Sequence, residues 1–134
     1  MKFNKKMIAG ITATIACLSL ASVPVFANTD TTSTQGYGTL KGNLSAESYG
    51  AYFHTMVDQN NDNAYLTIKG TVQNQNGSTI ATKQQVNSAR GQTFFSDNLS
   101  PLPANSYAVY GTHGVQGGNT YGAAAVYTYT NIGG

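Results

Sequence analysis

From residue 36 onward, apolar and polar positions alternate in short runs broken by Gly, Asn, Ser and Pro. No window carries a capped helical stripe. The clearest run is 64–73, which sets Leu66, Ile68, Gly70 and Val72 on one face and Tyr65, Thr67, Lys69 and Thr71 on the other. An aromatic run at 49–57 precedes it across the polar cluster 59–63. After it, the Asn76 and Gly77 pair, suited to the positive φ of a tight hairpin, leads into a run at 79–86. These are predicted to be three consecutive antiparallel strands.

The second half repeats the pattern. A short strand at 92–95 is ended by the Pro101-Leu102-Pro103 segment, whose prolines remove ladder donors. The run 106–115 sets Tyr107, Val109, Gly111, His113 and Val115 against Ala108, Tyr110 and Thr112. A Gly-rich turn at 116–119 leads to a final strand at 121–130. With 37–44 in front, the prediction is an all-β, antiparallel β-sandwich (or small barrel) of about six to seven strands.

The first 27 residues do not follow this pattern. Lys2, Lys5 and Lys6 precede an apolar run from Met7 to Leu20, and Val25-Phe26-Ala27 offers small residues for cleavage. That is the form of a secretory signal peptide cut after Ala27. Residues 28–35 are polar without periodicity and read as a flexible leader, and 36–134 as a single β-domain. Cys17 lies in a partial lipoprotein box, but Thr14 stands where leucine is typical and the apolar run continues past it. The expectation is free secretion without a stable membrane anchor.

Cutting at Ala27 changes the charge. Lys41, Lys69, Lys83 and Arg90 remain against Asp30, Glu47, Asp58, Asp62 and Asp97, a net charge near −1, and no cysteine remains. So few cations cannot form the basic patch that phosphate backbones need, which excludes nucleic acid. Without a disulfide, stability must come from packing.

Residues 58–63 read Asp-Gln-Asn-Asn-Asp-Asn, and the oxygens of Asp58, Asn60 and Asp62 at alternate positions resemble the first half of an EF-hand calcium loop. Asn63 replaces the turn glycine, Lys69 stands at the bidentate glutamate position, and the flanks are strands. A weak extracellular Ca²⁺ site at Asp58, Asn60 and Asp62 is the lesser reading, and a hairpin loop whose Asn and Asp side chains bond their own backbone is preferred. His54 and His113 are the only groups of ordinary near-neutral titration, yet no Gly-x-Ser-x-Gly elbow or metal-ligand spacing accompanies them. Each reads as a strand-end hydrogen-bonder or part of a binding surface. The few acids supply no glycosidase pair, since Asp58 and Asp62 share an exposed loop.

All nine tyrosines follow Ala27, and the chain has no tryptophan. Tyr127 and Tyr129 are two apart on one strand and form a ladder, which Tyr121 extends if the strand is regular. Tyr107, Tyr121, Tyr127, Tyr129 and His113 are therefore the candidate binding residues, set against ordinary cross-strand packing of tyrosine. The expected function is a secreted, non-catalytic β-domain binding an extracellular glycan or protein surface. The alternative is a self-associating matrix or antimicrobial protein, a homo-oligomer pairing through unprotected strand edges. A protease inhibitor built on the Pro101-Leu102-Pro103 loop, or a small hydrolase, ranks below both.

Overall fold

A computed structural model describes residues 27–132. The predicted signal peptide, Cys17 included, lies outside the described residues apart from Ala27. A chain with one cysteine can form no internal disulfide. The described strands are β1 (Ala27–Ser33), β2 (Thr39–Glu47), β3 (Gly50–Val57), β4 (Tyr65–Gln73), β5 (Thr79–Asn87), β6 (Phe94–Leu99), β7 (Ala108–Gln116) and β8 (Ala124–Asn131). They form two four-stranded antiparallel sheets, in the orders β1-β2-β3-β6 and β5-β4-β7-β8. The result is a β-sandwich with eight strands rather than six or seven.

The additional strand is β1, where a flexible leader was expected. It pairs with β2 over its full length, from Ala27 against Ser45 to Ser33 against Thr39. A rim strand has little core to face, so it can be wholly polar. Its threonines suit an extended backbone, and the ladder supplies the order that apolar periodicity does not advertise.

The three-strand run predicted from 49 to 86 also divides differently. The β4–β5 hairpin forms, with Gly77 at φ +84° and the Asn74 side chain accepting from the amides of Asn76 (2.9 Å) and Ser78 (3.0 Å). Residues 58–64 do not make a hairpin. They carry the chain from β3 in one sheet to β4 in the other.

Alternation aims Leu40, Leu44, Ala46, Ala51, Phe53 and Val57 of one sheet at Leu66, Ile68, Val72, Val109, Val115 and Val126 of the other, and all are buried. The apolar core is nevertheless in two parts. One surrounds Tyr37, Leu40, Leu66 and Val115, the other Leu44, Phe53, Val72, Val109 and Leu102. Between them lies a polar layer formed by Thr55, His113 and Thr128, all buried. Leu102 closes the second part, so the Pro101-Leu102-Pro103 segment turns its central side chain inward rather than projecting it.

Both rims carry a charge aimed between the sheets. At the β5/β6 rim, Lys83 Nζ is 2.7 Å from Asp97 Oδ2. At the other rim, Asp30 accepts from its neighbour Thr31 N (3.0 Å) through Oδ1 and from Tyr127 N of β8 (3.3 Å) through Oδ2. Ile132 N bonds Tyr107 O, which fixes the phase of the β7–β8 ladder: Ala125, Tyr127 and Tyr129 turn their backbone groups to the open edge. Asp30 thus caps one edge amide of each sheet, a device against edge-to-edge pairing. Asp30→Ala is expected to cause concentration-dependent association in sedimentation velocity that the native chain does not show under the same conditions. Unchanged sedimentation would remove this role.

Candidate functional site

The outer face of the β5-β4-β7-β8 sheet gathers most of the exposed aromatic surface. Tyr129 of β8 stands opposite Tyr110 of β7 in a non-hydrogen-bonded pair, the arrangement that brings side chains closest. Their ring centroids are 4.9 Å apart with planes at 50°. Tyr127, in the next row, is 67 % exposed and faces Thr112, which in turn faces Lys69 of β4. Tyr107 lies just before β7; it, Tyr110 and Tyr129 are each 41 % exposed. Burial pushes the Tyr129 phenol up, and the neighbouring Tyr110 and Tyr107 add to the effect. Its hydroxyl donates to Asn131 Oδ1. The face therefore presents tilted rings with polar tips among threonine hydroxyls.

Of the four sequence-nominated tyrosines, Tyr127 and Tyr129 stand on this face and Tyr107 lies at its end, just before β7. Tyr110 was missed, because only the β7–β8 register reveals that it meets Tyr129. Tyr121 lies elsewhere. The strand begins at Ala124, so Tyr121 falls in the preceding loop, at the opposite end of the sandwich. It packs edge-on against Tyr37, with centroids 5.8 Å apart and planes at 77°.

His113 is a correction: it is fully buried in the polar layer and reaches no surface. Its hydrogen bonds assign the tautomer. Thr55 Oγ1 donates its single proton to Thr67 O (3.0 Å), so at 3.1 Å from His113 Nδ1 it must accept from Nδ1–H. Nε2 is then bare and accepts from the Thr128 hydroxyl at 2.7 Å. Burial pushes the imidazole down to about 4; the nearby His54 charge adds to this and a backbone hydrogen bond at His54 opposes it. The ring is neutral, satisfied and sealed from any substrate. His54 lies on the outer face of the other sheet, 5.5 Å from the Phe94 ring.

The three candidate calcium ligands serve the protein's own donors. Asp58 Oδ2 accepts from Thr39 N (2.8 Å). Asn60 Oδ1 accepts from Asp62 N and Ala64 N, while its Nδ2 donates to the carbonyls of Ala64 and Gln92. Asp62 is buried and accepts from Tyr37 Oη (2.7 Å), Tyr121 N (3.0 Å) and Thr120 N, which reaches Oδ1 at 2.9 Å. Burial by itself raises the Asp62 carboxyl, but the bonds from Tyr121, Tyr37 and Thr120 outweigh it and hold it at about 2. The Tyr37 hydroxyl is pushed up to about 12 by burial and by its bond to Asp62. Asn60 makes the local bonds a loop needs and also holds Gln92, while Asp58 and Asp62 clamp distant segments. Among the described residues, no three His, Cys, Asp or Glu side chains gather as a metal would require. Comparison with protein-family models, with curated proteins and with solved structures finds no match to this chain.

Proposed function

We propose that this chain is a secreted, non-catalytic β-sandwich that binds an extracellular glycan or protein surface through the outer face of β7 and β8. The observation carrying this reading is the clustering of Tyr110, Tyr127 and Tyr129, each 41 to 67 % exposed, on one face, with the exposed Tyr107 at its end. A large, rigid ring with a polar tip gives contact area at little entropic cost and suits a surface that is wet when free. The signal-like segment before Asn28 supports an extracellular target. The non-catalytic part rests on the titratable groups: His113 is sealed, and Asp62 is saturated with donors.

The test is retention on insoluble polysaccharides and on intact cell surfaces before and after Tyr127→Ala and Tyr129→Ala. Each substitution is expected to weaken retention by roughly tenfold, the equivalent of about 1.4 kcal/mol, with the unfolding transition little changed because both rings lie outside the core. Retention indifferent to both substitutions would overturn the reading. The alternative of self-association finds one supporting observation, the open β8 edge, but the Asp30 cap works against it.

A further inference from the structure

The end of the sandwich that carries Tyr107 also holds an open cavity of about 390 Å³, lined by Asn74, Gln75, Asn76, Asn105, Ser106 and Tyr107. We propose that it binds a neutral saccharide unit, with Tyr107 as the stacking platform and the surrounding amides as partners for sugar hydroxyls. The proposal rests on the binding role of the tyrosine face and names the ligand class for one end of it.

The lining excludes other classes. It contains no charged side chain, so an ionic ligand would give up hydration without gaining a counter-ion. It contains four amide side chains, so a purely apolar ligand would desolvate them without replacing their hydrogen bonds. Gln75, Asn76 and Asn105 make no side-chain hydrogen bond within the described residues, and Asn74 uses only its Oδ1, leaving its Nδ2 open. An amide both donates and accepts, as a sugar hydroxyl does. The exposed ring of Tyr107 offers the apolar surface that the C–H face of a pyranose needs. The volume lies at the small end of the range for small-molecule sites, about 300–1,000 Å³, which suits a mono- or disaccharide.

Both walls are held before any ligand arrives. On one side, Asn74 N bonds Ser78 O (2.9 Å) and Gly77 N bonds Asn74 O (3.0 Å). On the other, Ser106 Oγ donates to Pro103 O (2.6 Å) and Tyr107 N bonds Gln73 O (2.9 Å), tying the second wall to the first. Asn105 sits at φ +71°, a left-handed conformation that asparagine tolerates better than most residues. Little ordering remains to be done on binding. Tyr107 lies just before Ala108, and the Tyr110–Tyr129 pair follows two rows further along the β7–β8 ladder, in the path of a longer chain leaving the cavity along these strands.

The test is NMR titration of the full mature chain with cellobiose, maltose and N,N′-diacetylchitobiose, and with an anionic digalacturonate as control. Saturable amide shifts confined to 74–76 and 105–107 with at least one neutral disaccharide, and none with digalacturonate, are expected. Asn105→Gly keeps the left-handed backbone while removing the amide, and with Gln75→Ala it should weaken that binding by about fivefold or more. Phe94→Ala, on the outer face of the other sheet, should leave disaccharide binding unchanged. No shift with any neutral disaccharide, or preference for the anionic one, overturns the proposal. If retention on polymers or cells still depends on Tyr127 and Tyr129, only the saccharide cavity has failed; if it does not, the tyrosine face has failed as well.

Discussion

Urea unfolding measured from pH 7 down to pH 4 is expected to show a loss of about 3 kcal/mol of stability, nearly all of it from His113. In the unfolded chain this histidine takes up a proton near 6.5, whereas in the sandwich burial holds it down to about 4. Between those values the unfolded state binds the additional proton, so stability is fully present above 6.5 and falls as pH drops through the window. Among the described residues no carboxylate is bonded to the ring: its partners are the hydroxyls of Thr55 and Thr128 and the His54 backbone, and His54 is the titratable group that acts on it. An imidazolium would lie between two apolar half-cores without a counter-charge. The Asp62 carboxylate acts in a separate window. Held at about 2 against an ordinary 3.8, its contribution persists until the pH falls below 3.8 and is lost toward 2. A flat stability profile between pH 6.5 and 4 would show that His113 is not sealed.

The second large effect is expected from one methyl group. A Cβ on Gly42 would lie 2.5 Å from both Cγ and Cδ2 of His113 and 2.9 Å from its Cβ. The ring has little room to yield, since Gly111 comes so close that a Cβ there would meet Nε2 at 2.9 Å. Moving along its plane breaks the bond to Thr55 or to Thr128. Gly42→Ala should therefore cost about 2–3 kcal/mol, as overpacking of a filled core does. The decisive measurement is a double-mutant cycle. In a His113→Ala background the obstructing ring is gone, and Gly42→Ala should cost far less. Additive costs would show that the strain lies elsewhere.

The sequence reveals those elements whose two faces meet different surroundings. In β4 and β7 the alternation of Leu66, Ile68 and Val72, and of Val109 and Val115, places each face correctly, and the all-β sandwich follows from them. β1 escapes because, unlike the other rim strands β5, β6 and β8, it has no apolar face to display. The crossing at 58–64 escapes because a polar turn has the same composition whether it returns a chain to its own sheet or sends it to the other. His113 is instructive in another way. Its phase with Val109 and Val115 already put it inside, and only the residue type argued for the surface. Asp58, Asn60 and Asp62 have the spacing of ligands, but spacing does not say where the side chains point, and the donors that claim Asp62 come from residues some sixty positions away. The Tyr110–Tyr129 pair and the cavity depend on register, which joins 74–76 to 105–107 with no local trace in either segment.

The arrangement of the rims has a mechanical consequence. Ala27 of β1 and Asn131 of β8 lie at the same end of the sandwich, on strands that face each other across one rim. A load applied through these two points would not pull the ladders lengthwise, with all bonds resisting together. It would peel β1 from β2 and β8 from β7 one pair at a time, starting beside Leu102 and Ile132. Such a sandwich yields to small forces however stable it is in urea, and the part that opens first adjoins the tyrosine-bearing end. Single-molecule extension through these points is expected to show low, stepwise resistance, making tension a means of loosening whatever that end holds.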